Sequence, residues 1–411
     1  MKEIYDVCII GAGPSGMMAA IQAGQKCLNV IVLEKKSRPG LKLSITGKGR
    51  CNITNSASIK EFVDLFYNGK FLYSSFHTFS NIDVISFFES LNVPCKLERG
   101  GRYFPVSDKA CDVVNALVKT VKKFAKVVSS FNVKSAKQDD NGIFCISGNF
   151  YVYARNLIIA SGGMSYPATG SSGDGYRFAE SFGHSIKKPI AALVPIVLES
   201  KYLNELKGLK LKNVEVSLEV SNKIILKEFG EMEFTSFGAD GSVILTISSL
   251  ISLNMDKGNN INLKINLKPA VSQECLNVRL LKEINKFGQY QVKDMIKEFL
   301  PIQFIKPFLN YCGINITKKC SQLTKFDREK MLNTFFEISF KILSTKDIKD
   351  AIVTRGGVLT NEINQKTMES KFIKGLYFCG EVIDVDAPTG GFNLQAAFST
   401  GFVAGTSVYR S

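Results

Sequence analysis

The chain has 411 residues, enough for two or three domains, and its 45% apolar and 22% charged side chains are the proportions of an ordinary soluble globular protein. No run approaches the ~18 apolar residues that a membrane-crossing helix needs, so no membrane partner is expected. The net charge of +15 is dispersed, with glutamates among the lysines as in "KNVEVSLEVSNKIILKEFGEMEF"; without a basic block or an arginine–aromatic stripe, a stable nucleic-acid partner is not expected, while an anionic small-molecule substrate is compatible.

The chain opens on "DVCIIGAGPSGMMAA". A strand over Val7–Ile10 hands over to a glycine turn, a helix over about Ser15–Gln25 and a strand over Val30–Leu33. Gly11-Ala12-Gly13-Pro14-Ser15-Gly16 matches the dinucleotide fingerprint, in which the first glycine permits a tight turn, the second admits the pyrophosphate and the third lets helix pack on strand. The helix N-terminus then offers free N–H groups and partial positive charge to the phosphates. Glu34, at the end of the second strand, can accept hydrogen bonds from ribose hydroxyls. Glu3 and Asp6 interrupt the opening, and its apolar run ends in Gly-x-Gly rather than a cleavage site, so a cytoplasmic location is expected.

Further along, "GGRYFPVSDKA" places Arg102, Tyr103 and Lys109 on an expected loop. They read equally as a carboxylate or ketone site and as a turn held by Pro105. Val127–Val152 reads as a β-meander, with Asp139-Asp140-Asn141-Gly142 as a hairpin turn. In "ARNLIIASGG" the apolar run Leu157–Ala160 stops at Ser161-Gly162-Gly163. Asp174 is expected to cap the helix that follows it, and His184, after Gly183, to close that helix. Residues 190–350 change character: "VEVSLEV", "KIILKEF" and "INLKINL" alternate as antiparallel strands, and "LNVRLLKEINKFGQYQVKDMIKEFL" and "REKMLNTFFEISFKIL" have helical spacing. The chain then returns to "KGLYFCGEVIDVDAPTGGFNLQAAFSTGFVAG", a strand over Leu376–Cys379, a loop and a helix from about Phe392.

This order gives an α/β fold, a doubly wound dinucleotide-binding domain (1–190 and 351–411) interrupted by an α+β domain (191–350). The fingerprint is used once, at the N-terminus, and the chain comes back to a second glycine-rich segment near its end. That pattern selects FAD over NAD. Ten cysteines contain no Cys-x-x-Cys, and only His77 and His184 are present, so neither a disulfide framework nor a metal site is expected.

Four ordered motifs, "EKKSRPGLKLSITGKGRCNITN", "GRYFPVSDKA", "ASGGMSYPATGSSGDGYRFAESFGH" and "TMESKFIKGLYFCGEVIDVDAPTGGFNLQ", resemble the aminoacetone-oxidase-like FAD-binding family of NAD(P)/FAD-dependent oxidoreductases, whose relatives include a 3-dehydro bile-acid reductase. The resemblance implies a glutathione-reductase-like FAD domain with an insert that has a β-barrel part and a helical part. It places Gly11, Gly13 and Gly16 at the pyrophosphate, and Glu34 and Lys35 at the adenosine, with Ala160, Ser161 and Gly162 closing over that side. Thr46, Gly47, Gly49, Arg50, Cys51 and Asn52 run along the ribityl chain and flavin. Gly380, Glu381, Asp384, Gly391, Asn393, Leu394 and Gln395 make the remaining contacts, and Pro14, Ser15, Lys42 and Val133 complete the cofactor-binding set. This chain departs from the family where Phe-Thr-His-x-Gly-x-Ser-Gly-Pro is usual: Ser236 and Ser242 replace the histidine and the proline.

Arg50 reads as a cofactor or anion contact ahead of a loop arginine paired with an acid, Cys51 as a packed thiol, and Asp384 and Asp386 as sugar-hydroxyl ligands rather than bases. No residue is read as catalytic, because flavin carries the hydride in such enzymes. The expected activity is hydride transfer between flavin N5 and a small organic molecule held between the FAD domain and the insert. A reductase fed transiently by NADH or NADPH is preferred to an amine oxidase using O2, with an RNA-associated flavoprotein third.

Overall fold

The computed structural model describes residues 3–255 and 258–409. They form two compact units, one reaching to Ile190 and resuming at Ile348, the other Ala191–Asp347.

The first unit is built on a seven-stranded sheet. β1 (Ile4–Ile10) and β2 (Val30–Leu33) flank the helix α1 (Pro14–Gln25); β2 and the Val7–Ile10 part of β1 are apolar and buried, as strands covered on two faces must be, while Ile4 and Asp6 lie at the less covered start of β1. Next come α2 (Leu41–Gly49), β3 (Thr54–Asn55), α3 (Ile59–Leu65), α4 (Gly69–Thr78) and α5 (Asn81–Ser90). β4 (Cys95–Glu98) and β5 (Arg102–Pro105) join β3 in a small antiparallel sheet, so the expected loop at Arg102 is a strand. α6 (Ala110–Phe124) leads to β6 (Ala125–Val128), which pairs parallel with β2 and extends the main sheet. β7 (Ser135–Gln138), β8 (Phe144–Ser147) and β9 (Tyr151–Ile159) form an antiparallel meander, but Val127 and Val128, the start of the expected Val127–Val152 range, belong instead to β6. The end of β9 runs parallel to β1, so the Leu157–Ala160 run lies in the middle of the sheet. α7 (Asp174–Ser181) and β10 (Ile186–Ala192) close this segment.

The second unit is a closed six-stranded antiparallel barrel with a helical part. Its strands are β11 (Ile196–Glu199), β12 (Lys210–Val220), β13 (Lys223–Phe234), β14 (Gly238–Asp240), β15 (Ile261–Asn266) and β16 (Ile338–Thr345), ordered β11-β14-β13-β12-β15-β16 and closed by β16 on β11. The short α8 (Leu203–Leu206) precedes β12. The apolar helix α9 (Ser242–Met255) packs on five of the six strands. α10 (Gln273–Lys286), α11 (Val292–Ile296), α12 (Ile302–Tyr311) and α13 (Lys325–Phe336) are inserted between β15 and β16. This unit has its own core, including Phe234, Phe304, Phe308 and Phe335.

The chain re-enters the first unit through β17 (Val353–Val358), which pairs with β10, and β18 (Leu376–Phe378), which lies parallel to β9. α14 (Phe392–Ser407) then lies against α1. Their contact is a backbone one. A Cβ on Gly401 would stand 2.3 Å from Ser15 O, and one on Gly405 2.4 Å from Ala19 O. The C-terminal helix is thereby locked to the helix of the N-terminal fingerprint.

Candidate cofactor and active site

The glycine turn between β1 and α1 has the geometry of a phosphate cradle. Gly11 has φ +103°, and a Cβ there would stand 2.5 Å from Ala160 O; one on Gly16 would stand 2.0 Å from Gly11 O. Gly13, in contrast, has nothing within 4 Å of its missing Cβ, so that side of the backbone can be approached closely. Pro14 starts the helix where its lack of an N–H costs nothing. Ser15 is buried and donates to Cys379 O of the C-terminal segment. Glu34 accepts from the Ala12 N–H at 2.8 Å through Oε2 and from the Lys36 N–H at 2.8 Å through Oε1, which pins the turn to the end of β2. Burial raises its carboxyl above the ordinary value despite these two bonds. Val133 is buried close by, where Phe131 donates its N–H to Glu34 O.

Lys35 reaches Ser172 Oγ and Asp174 Oδ2, both at 2.7 Å. Asp174 therefore does not cap α7 as expected. It is the first residue of that helix, Gly173 occupies the cap position, and the carboxylate is turned toward Lys35.

A second cluster joins α2 to the return segment. Lys42 donates to Ser165 Oγ at 2.6 Å and to Glu381 Oε2 at 2.7 Å, and Glu381 Oε1 accepts from the Thr354 N–H at 2.8 Å. Thr46 breaks the helix with ψ 150°, and Gly47, Lys48, Gly49 and Cys51 follow with positive φ. Two of these four are not glycine, a local strain of about 1–2 kcal/mol each that accumulates at functional loops. Asn52, with its amide oxygen toward α14, accepts from the Gly391 N–H at 2.9 Å. Asn55 bridges Gly100 O and Gly390 O. The 46–55 loop and the Gly390–Gly391 turn thus form one surface.

Arg50 does not turn its side chain to that surface. The guanidinium bonds Glu98 and Asp108 and lies 4.1 Å from the centre of the Phe104 ring, so the paired-arginine alternative describes it, and its backbone alone belongs to the loop. Cys51 is 0% exposed, and burial pushes its thiol up to about 12. Asn393 and Gln395 also work internally. Asn393 bonds the backbone of Ala387 in the 384–391 loop, and Gln395 bonds Thr54, Phe79 O and Ser399, tying the start of α14 to β3 and to the end of α4. Leu394 is half-buried beside them.

Asp386 makes a two-pronged ion pair with Arg355 (2.7 and 2.9 Å), whose guanidinium also covers the Tyr67 ring. Asp384 Oδ2 accepts from Asn68 at 3.0 Å, but Oδ1 has no partner although it is buried. The hydroxyls of Ser161 and Tyr176 are likewise buried and unbonded. Burial, with Asp386 adding repulsion, raises the Asp384 carboxyl; Glu381 and Asp384 both add to the burial that raises the Tyr176 phenol. Three orphan polar atoms beside a phosphate cradle are what a sugar-phosphate ligand with many hydroxyls would satisfy. Gly162 and Gly380 are tight positions of the same segments, where a Cβ would meet Ser171 and Ser15. The residues present fit a dinucleotide.

Tyr176 and Arg355 were not singled out by sequence. Tyr176 lies inside the quoted "GDGYRFAESFGH", but only its burial without a partner marks it; Arg355 carries no local signal. Arg102 and Lys109 are exposed, and Tyr103 is half-exposed on β5 opposite Thr54. His184 closes α7 as expected, its N–H bonding Ala179 O, and its ring is held between Glu362 (3.1 Å) and Ser370 (2.8 Å). Ser236 is exposed on the turn before β14, and Ser242 starts α9 and reaches Glu231 O. Among the described residues, no group of three His, Cys, Asp or Glu side chains could hold a metal ion.

Comparison with known proteins adds the following. The profile described as "HI0933-like protein Rossmann domain" matches residues 5–407. A Clostridium scindens protein named 3-dehydro-bile acid delta(4,6)-reductase is 28% identical over 403 residues, 97% of each chain. An Escherichia coli protein named ribosomal RNA dihydrouridine synthase is 31% identical over 400 residues, 97% of this chain and 96% of that one. The solved 3-ketosteroid delta1-dehydrogenase of Sterolibacterium denitrificans has the same fold, with a TM-score of 0.54 at 13% identity over 98% of this chain and 99% of that one.

Proposed function

The chain belongs to the HI0933-like Rossmann family, and from that premise we propose that this FAD-dependent oxidoreductase is a reductase that saturates a carbon–carbon double bond conjugated with a carbonyl group. The observation that carries this reading is that two full-length relatives with unlike substrates share one bond chemistry. A delta(4,6)-reductase acting on a 3-dehydro bile acid and a synthase of dihydrouridine both add two hydrogens to such a bond. For this chain the proposed step adds a hydride to the carbon remote from the carbonyl and a proton to the adjacent carbon, with NADH or NADPH as the proposed two-electron donor.

Bound FAD supplies the hydride chemistry; the chain supplies placement and charge. The α1 N-terminus and the bare face of Gly13 receive phosphate, and Asp384, Ser161 and Tyr176 offer their unbonded atoms to hydroxyls. The N-terminal end of α14, beginning at Gly391, favours negative charge placed there by about 0.3–2 kcal/mol. The sulfur of Cys51, fully buried and held protonated, does not reach substrate.

The substrate class supported best is uridine in ribosomal RNA. The dispersed charge by itself gave no expectation of a nucleic-acid partner; what favours this class is the dihydrouridine synthase relative, together with exposed Lys48, Arg99, Arg102 and Lys109 on and around the 46–52 loop and β5, a rim suited to phosphates. A free enone of steroid type is the second reading, favoured by the bile-acid relative and by the exposed Ile45, Leu97 and Val106 on the same stretch. The test incubates the holoprotein anaerobically with NADH or NADPH and either unmodified ribosomal RNA or a steroid 4-en-3-one, and analyses products by mass spectrometry. Dihydrouridine in the RNA supports the first reading, and a saturated steroid alone the second. If neither double bond is reduced while an amine is oxidised with peroxide release, the proposal fails.

A further inference from the structure

We infer that the outer face of α4, with the turn at residues 364–366, is a docking groove for the single-stranded RNA that flanks the reacting base; the inference rests on the RNA reading above. α4 buries Phe71, Leu72, Ser75 and Phe76 against its neighbours α3 and α14. Its opposite face presents Lys70, Tyr73, Ser74 and His77, the i, i+3, i+4, i+7 set of a helix. These residues, with Gln365 and Lys366 from across the gap, line a groove of about 470 Å³.

Three features of this groove suit a nucleotide. Tyr73 is 56% exposed, and its ring lies 4.4 Å from that of His77 with the two planes inclined at 51°, so two aromatic faces stand at the surface instead of in the core. Lys70 and Lys366, one from α4 and one from the 364–366 turn, line the same groove as the two rings. No carboxylate lines the groove, and α4 contains no acidic residue, so the two ammonium groups face outward without the Glu partners that an ordinary solvated helix would place at i+4. A π-face for a base, flanked by cations for the adjoining phosphates, is the pattern of sequence-tolerant single-strand binding.

The position also suits a polymer. The buried face of α4 leans on α14, the helix that starts at the Gly390–Gly391 turn, with Phe62 of α3 contacting both Phe76 and Phe392. The groove therefore lies on the far side of α4 from that turn. An enzyme that takes one base out of its strand must hold the neighbouring nucleotides outside the reaction site.

The test measures fluorescence anisotropy of a labelled single-stranded RNA dodecamer with the FAD-loaded full chain over a range of salt concentrations. Tyr73→Ala should weaken binding roughly tenfold through loss of base stacking. Lys70→Glu with Lys366→Glu should make the slope of log affinity against log salt shallower by about 1.4, the value for two phosphate contacts on a single strand. Lys119→Glu with Lys122→Glu, an equal charge change on α6, should stay within about twofold of the parent. Unchanged flavin absorbance and melting temperature in each variant establish that the fold is intact. Groove variants that bind RNA no differently from the α6 control would overturn the inference, even if dihydrouridine is formed. Loss of RNA affinity in the groove variants, in a protein that makes no dihydrouridine, would uphold the groove and refute the substrate reading instead.

Discussion

Asp384 opens the 384–391 loop with one carboxylate oxygen bonded to Asn68 and the other bonded to nothing. Burial raises its folded pKa above the ordinary carboxylate value, so between those two values the folded state holds more protons than the unfolded state. Stability from this group therefore falls as pH rises through that window, and at neutral pH the ionised carboxylate is a liability. Asp384→Asn removes the charge and keeps the shape. We expect the FAD-free protein to gain on the order of 1 kcal/mol in urea unfolding at pH 7.5, while FAD affinity by fluorescence titration falls several-fold. A loss of stability with unchanged FAD affinity would mean that Asp384 is a structural residue only. Cys51 makes the converse case. Its sulfur is enclosed, so Cys51→Ser should retain at least half of the turnover with NADPH and the conjugated substrate, and a loss greater than about a hundredfold in kcat without loss of bound FAD would place the thiol in the reaction. At this scale the sequence was legible where a turn imposes a backbone requirement. Gly11, Gly13 and Gly16 follow from what a phosphate turn needs, and Glu34 from its spacing. It was not legible where a side chain's partner lies far along the chain. Nothing near Arg50 announces Glu98 and Asp108, and nothing near Asp386 announces Arg355.

Helices α1 and α14 touch through glycines, and this contact ties the two glycine-rich segments together. Gly405→Leu would drive a side chain into Ala19 O, and we expect at least about 2 kcal/mol of destabilisation together with loss of FAD on gel filtration. A second tie is the His184 ring between Glu362 and Ser370. Burial holds this imidazole below its ordinary pKa in spite of Glu362, so on acidification the unfolded state takes up the proton first. Stability from His184 is present above about pH 6.5 and is lost below it. Urea unfolding at pH 7.5 and 5.5 should therefore show a larger acid-induced loss in the parent than in His184→Gln, and equal losses would contradict the assignment. The regular elements around these contacts were readable from periodicity, because an apolar run between glycines in this fold is a buried parallel strand. The Arg102–Pro105 strand was not, since four residues ending in proline carry too little alternation to separate a strand from a loop. The break in α2 was also hidden: "LKLSITGKG" has acceptable helix formers up to the point where Thr46 turns extended.

The molecule keeps two cores apart, one around the main sheet and one inside the barrel. The barrel was legible as alternating strands, but its closure is a property of pairing between β11 and β16, which lie well over a hundred residues apart. The doubly wound sheet, by contrast, was written at both ends of the chain, because one long cofactor requires two grips. The substrate was not legible at all, since flavoenzymes of one fold differ in the few side chains that meet the reacting bond. In the proposed reaction electrons pass through bound FAD to a conjugated double bond. Its most direct measurement is an anaerobic stopped-flow experiment on the yellow holoprotein. One equivalent of NADH or NADPH should bleach the flavin band, and ribosomal RNA or a steroid enone should restore it in the absence of oxygen. A flavin that stays bleached with both acceptors and recovers only when oxygen is admitted would contradict the account.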